Sequence, residues 1–148
     1  MRYRKIVILG GPFTGKSWLA GRLTELMGAR AFDLGAPGAH PGRLVEQALG
    51  ADAWIIEEHR EQPDARALEA ADLVVLLQAP AWLRALRRAR SLVEGPRARR
   101  TAAPPVRTAR ALETLRRAGE RGFLCRTTDD VRRLLDHVVG LGDPPLRD

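Results

Sequence analysis

Lysine is nearly missing from this chain: of 25 basic residues in 148, only Lys5 and Lys16 are lysine, and the rest are arginine. Cysteine occurs once, at Cys125, which excludes an intrachain disulfide and suits a reducing interior. Aromatic residues make up 5% of the chain, few for the stacking surfaces that hold single-stranded nucleic acid. No apolar run approaches the roughly 20 residues of a membrane span. The run Ile6 to Leu9 behind the basic N-terminus is too short for a signal peptide. The three histidines, His40, His59 and His137, show no metal-ligand spacing. These shortages predict a soluble, cytoplasmic protein with no membrane partner.

What is present points to one compact domain spanning residues 1–148, with 45% of residues hydrophobic. A net charge of +7 and an isoelectric point near 11.0 favour anionic partners. The alternative source of the same charge is a GC-rich coding sequence, which enriches Ala, Arg, Gly and Pro.

Strand and helix patterns alternate along the chain. "KIVIL" is a short β-branched run ending at Gly10 and Gly11, and Lys16 to Met27 has helical apolar spacing stopped by Gly28. "RAFDL" reads as a second strand ending near Asp33, followed by a helix over 43–49. "AWII" is a third strand closed by Glu57 and Glu58, and "DLVVLLQ" a fourth, with a short helix around 64–71 between them. An amphipathic helix begins at Pro80; residues 95–105 read as a mobile loop, and 107–119 as a helix. "GFLC" is a fifth strand, before a helix over 130–139 capped by Thr128 or Asp129 with His137 towards solvent. Such alternation predicts an α/β three-layer sandwich, a parallel sheet with helices on both faces.

The most specific signal is Gly10-x-x-x-x-Gly15-Lys16-Ser17, set between the first strand and its helix. Phosphate binding needs backbone N–H groups converging on oxygen, a helix N-terminus, one cation and one magnesium ligand. Gly10, Gly11, Pro12, Phe13, Thr14, Gly15, Lys16, Ser17 and Trp18 are therefore the nucleotide-binding candidates. Lys16 bridges the β- and γ-phosphates in this reading, and the Ser17 hydroxyl ligates Mg²⁺. In a chain that otherwise uses arginine, a lysine stands where a slim ammonium fits and a planar guanidinium does not. No Asn-Lys-x-Asp guanine reader is present, which favours ATP.

The segments "KIVILGGPFTGKSWLAGRL", "ADAWIIEEHR" and "ALEAADLVVLLQAPAWLRALRRAR" resemble the adenylate-kinase-related P-loop kinases. Within these, they resemble in particular the small group described as DNA topology modulation proteins. The resemblance covers about residues 4–90. It implies a P-loop NTPase fold with five parallel strands in the order 2-3-1-4-5 and an arginine-bearing lid at about 84–106. The chain departs from the group's pattern at Phe13, Trp18, Glu57-Glu58-His59-Arg60 and Gln78.

Phosphoryl transfer requires charge neutralisation above all. Glu57, with Glu58 as the alternate, is placed to hold Mg²⁺ through water. Asp33 either orients a magnesium-bound water or takes a proton from an acceptor hydroxyl. Arg84, Arg87 and Arg88 share one helix face, and with Arg97, Arg99 and Arg100 they are candidates to close over the triphosphate. Of these, Lys16, Asp33, Glu57, Arg84 and Arg88 are the catalytic candidates; Arg43, Arg60 and Arg66 are candidates to clamp an acceptor phosphate. Trp54 and Cys125 read as core, and Asp72 as a turn residue. The expected activity is transfer of the γ-phosphate of Mg-ATP to a small acceptor, a nucleotide or small alcohol. The alternative is a P-loop ATPase or nucleotide-binding module acting on a protein or nucleic-acid partner, for which no recognition motif is present.

Overall fold

In a computed structural model, which describes residues 3–93 and 108–140, strands β1 (Lys5–Gly10), β2 (Arg30–Asp33), β3 (Trp54–Glu58), β4 (Leu73–Leu77) and β5 (Gly122–Cys125) form one sheet. Helices α1 (Lys16–Met27), α2 (Pro41–Leu49), α3 (Ala65–Ala70), α4 (Ala81–Val93), α5 (Thr108–Ala118) and α6 (Thr128–Val138) connect and flank them. All four strand pairings are parallel, and the order is β2-β3-β1-β4-β5. That is the P-loop kinase sheet anticipated above.

The central strands β1, β3 and β4 are buried on both sides, β1 and β4 being almost continuously apolar. Alternate residues divide between two cores. Ile6, Ile8, Ile55, Val75 and Phe123 pack against Leu19 and Leu23 of α1 and Leu134 and Val138 of α6. Val7, Leu9, Trp54, Ile56, Val74 and Leu76 pack against Val45 of α2, Ala67 of α3 and Ala111 of α5. Three layers result. Among the described residues, no helix is long and apolar enough to cross a membrane.

Several local readings need correction. The last helix starts at Thr128, and its cap is Thr127, whose hydroxyl accepts from Asp130 N while the Asp130 carboxylate accepts from Thr127 N. This reciprocal capping box ties down both ends of the first turn; the tandem Thr127-Thr128 hid the boundary. His137 is buried, not solvent-facing, and its Nε2 lies 2.6 Å from the Tyr3 hydroxyl. Helical spacing puts it beside Leu134 and Val138, and a tyrosine from the N-terminus supplies the polar partner that burial demands. Glu57 and Glu58 lie inside β3, not after it. The expected loop at 95–105 falls outside the described residues, as does the side chain of Trp82.

Asp72 is a turn residue, as its position before β4 suggested: its Oδ2 accepts from the backbone N–H groups of Arg4 and Lys5. Cys125 is buried in the α1–α6 core. Burial, reinforced by the nearby Asp130 charge, pushes its thiol up to about 12 from 9.0. The folded state therefore holds this proton where the unfolded chain releases it. The associated stability is complete below pH 9 and is lost as pH rises towards 12. At pH 8 the native thiol should resist an aromatic disulfide reagent and label at once in denaturant. Rapid native labelling would show that the core opens here.

Candidate functional site

The loop between β1 and α1 is built by close approach. At Gly10 a Cβ would stand 2.8 Å from the Leu77 carbonyl oxygen and 2.9 Å from Thr14 Oγ1, so only glycine lets the strand turn there. Thr14 Oγ1 in turn donates to Gly11 O at 2.8 Å. Gly15 takes the left-handed conformation (φ 96°) immediately before α1. Phe13 also has a positive φ of 60°, a conformation that costs a bulky residue about 1–2 kcal/mol. Its carbonyl, turned outward by that conformation, accepts from Arg87 Nη1 at 3.0 Å. Gly10→Ala should therefore destabilise the fold by about 1–3 kcal/mol, the cost of a forced displacement of packed atoms. Urea unfolding against wild type reads this directly; an unchanged stability would mean the loop tolerates the shift.

Helix α1 opens on this loop with no side-chain cap and no acidic residue in its first turn. Its positive end is therefore left to an anion from outside the helix. Lys16 is buried at 4% exposure, and its Nζ donates to the carbonyls of Gly10 and Gly11, each at 2.6 Å. The ammonium lies inside the loop rather than in solvent. Ser17 Oγ donates to Glu57 Oε2 at 2.8 Å.

Strand periodicity separates the two glutamates. Glu57 faces the phosphate loop and α1. Glu58 faces the opposite layer, where its carboxylate is filled: Oε1 accepts from His59 N, Arg60 N and Arg60 Nε, and Oε2 from Arg60 Nη2 and Asp64 N. It folds the β3–α3 connection. The hydrogen bonds that the Arg60 guanidinium donates to Glu58, with that carboxylate's charge, hold it above its ordinary range against the opposing effect of burial.

Asp33 ends β2 directly beside Glu57 in the parallel register. Its Oδ1 accepts from Gly35 N at 3.0 Å and lies 2.8 Å from His59 Nε2. Donor atoms of Asp33, Glu57 and His59 all lie within 4.8 Å of one another. Histidine spacing could not reveal this cluster, because its partners are carboxylates on two different strands. The usable signal was Glu57-x-His59, one side of an extended segment.

Arg84 and Arg88 are exposed on α4, and Arg87 of that face reaches the loop. Arg97, Arg99 and Arg100 lie outside the described residues. Trp18 is 60% exposed on the first turn of α1, and so belongs to no core. Gln78 Oε1 accepts from Arg126 Nε at 3.3 Å. Arg66 pairs with Asp64, its neighbour at the start of α3, and Arg43 is exposed on α2. On the other side of β1 a shallow cleft is lined by Gly10, Glu58, Arg60, Glu61, Ala111 and Thr114, among others.

The fold is that of the P-loop kinases. Shikimate kinase from Acinetobacter baumannii, solved in complex with shikimate, matches 94% of this chain and 92% of its own, with a TM-score of 0.55 and 18% identity. The YorR protein from Bacillus subtilis, solved in complex with phosphorylated GDP, matches 93% of this chain and 95% of its own, with a TM-score of 0.54 and 16% identity. No protein-family description matches the sequence, and no curated protein does. The likeness is one of fold, and nothing in it singles out the topology modulation group.

Proposed function

We propose that this protein is an ATP-dependent phosphotransferase acting on a small acceptor. The observation that carries the reading is the enclosed Lys16 ammonium at the mouth of an uncapped helix, with the Ser17–Glu57 pair 2.8 Å apart beside it. The hydroxyl and the carboxylate are hard oxygen donors, suited to Mg²⁺, which when bound neutralises charge on the phosphates. Lys16 exchanges its loop carbonyls for phosphate oxygens and stabilises the charge that develops as the terminal phosphoryl group leaves. Arg87, already on the loop through Phe13 O, is the described arginine best placed to add a second cation.

In the transfer, an acceptor oxygen bonds to the γ-phosphorus as the bond to the ADP oxygen breaks, and the acceptor hydroxyl's proton passes to water. Asp33 is the second carboxylate of the site. The cleft beside Gly10 is too small for a macromolecule. Arg60, 41% exposed though anchored on Glu58, presents remaining N–H groups there to an acceptor bearing a carboxylate or phosphate. Shikimate, bound in one structural neighbour, is a small carboxylate-bearing candidate and a nucleoside monophosphate a phosphate-bearing one; the cleft must widen to admit either.

ADP formation measured across nucleoside monophosphates, shikimate and small alcohols tests the reading. Stimulation by one acceptor class is the expected result. If ATP binds and no acceptor raises turnover, the kinase assignment falls. The alternative, an ATPase or nucleotide-binding module working on a protein or nucleic-acid partner, rests on the arginine-rich 84–110 region, of which Arg84, Arg87, Arg88 and Arg90 are described and exposed; salt-dependent binding of DNA or RNA would favour it.

A further inference from the structure

The geometry points to a divalent-cation site of mixed nitrogen and oxygen character, formed by Asp33, Glu57 and His59, that takes ions of the Mn²⁺, Co²⁺ or Zn²⁺ type without nucleotide. Three independent features meet there. The first is register: Asp33 and Glu57 are paired Cα neighbours on β2 and β3, and His59 follows Glu57 by two residues, so the chain delivers all three to one edge of the sheet. The second is spacing. No two of the three donor atoms are farther apart than 4.8 Å, whereas ligands about 2.1 Å from one ion stand about 3.4 Å apart in a tetrahedral site and about 3 Å (adjacent) or about 4.2 Å (opposite) in an octahedral one. Shifts within about 1 Å therefore bring all three onto a single ion.

The third is the state of the imidazole. His59 Nε2 is buried and lies 2.8 Å from Asp33 Oδ1, yet the two atoms are not aligned as a hydrogen bond. Close approach out of line is how two adjacent ligands sit around a common ion. The ring is also fixed from behind: a Cβ on Gly35 would stand 2.6 Å from His59 Cδ2 and Cγ, while Gly35 N donates to Asp33 Oδ1. One turn thus holds both ligands. Preorganisation of this kind is what an outer shell supplies at a metal centre.

The donor set decides the ion class. Two carboxylate oxygens alone would suit Mg²⁺, but an imidazole nitrogen favours first-row transition ions. Ser17 Oγ, on Glu57 Oε2, links the ion to the phosphate loop. The site shares Glu57 with the kinase reading and needs no ATP, so the two can fail separately. It assigns Asp33 to the ion instead of to proton transfer.

The test is titration of Co²⁺ into the nucleotide-free protein, followed by calorimetry and visible absorption, with Mg²⁺ as competitor. One equivalent should bind, Mg²⁺ should displace it poorly, and His59→Ala and Asp33→Asn should each weaken binding at least tenfold, the lower limit seen even for loss of an outer-shell partner. Gly35→Ala removes no ligand but displaces the ring, and should weaken Co²⁺ binding as well; His40→Ala, on an exposed residue, should not. Circular dichroism of each variant confirms folding. Absence of Co²⁺ binding, binding unaffected by His59→Ala, or binding lost equally in His40→Ala overturns the site. Co²⁺ binding intact in a protein that does not bind ATP leaves the site standing and removes the kinase reading.

Discussion

Replacing Lys16 with alanine should lower ATP-dependent turnover by about 100-fold or more, the loss typical of removing one preorganised charge stabiliser, while leaving the fold intact. The ammonium is buried at 4% exposure and held by two carbonyls of its own loop. Desolvating an ammonium is costly even when it is paired, so stabilisation alone explains the buried Lys16 poorly. Its removal leaves the Gly10 and Gly11 carbonyls without this donor, at roughly 1–3 kcal/mol, and relieves the desolvation of the ammonium. These effects oppose each other, and the melting temperature should move by only a few degrees. Lys16→Arg should be nearly as inactive, because a planar guanidinium cannot take the place of a compact ammonium between those carbonyls. Turnover, ATP titration and thermal denaturation together check the prediction. Wild-type turnover in Lys16→Ala would overturn the assignment of the loop.

The neighbouring pair of glutamates should give opposite phenotypes. Glu58→Ala is expected to destabilise the protein by about 3–4 kcal/mol, because a buried carboxylate that satisfies several donors disappears at once. Three of those donors are backbone N–H groups, of His59, Arg60 and Asp64. The Arg60 guanidinium counts for less, since at 41% exposure it can rehydrate. The melting point should fall by about 10 °C. Glu58→Gln, which keeps one acceptor oxygen, should fall between Ala and wild type. Glu57→Gln should cost little stability and most of the turnover, since its carboxylate serves the Ser17 side of the sheet. Urea unfolding set beside activity separates the two. A Glu58→Ala protein within 1 kcal/mol of wild type, or a fully active Glu57→Gln, would reverse these roles.

The contrast also shows how far the sequence could be read. "EEHR" gives a strand end with two acids, and both were candidates for the same role. Strand alternation was enough to send them to opposite faces, once β3 was known to extend through Glu58. The arginine stripe at 84, 87 and 88 was visible from helical spacing. That Arg87 meets Phe13 O depends on how α4 sits over a loop some 70 residues earlier. His137 looked like a surface residue because its partner, Tyr3, lies 134 positions away.

By itself the sequence determined what depends on neighbours along the chain. The β1 strand, the glycines that permit its turn, the lysine and serine that follow, and the alternation that makes a parallel sheet are all short-range patterns enforced by backbone sterics and apolar periodicity. The tertiary structure decided what depends on register and facing. Asp33 comes beside Glu57 because β2 pairs with β3, His59 joins them because Gly35 has no side chain to keep its ring away, and the sheet sorts Glu57 from Glu58. Those placements follow from packing between distant segments, where one residue of slip would move every side chain to the other face.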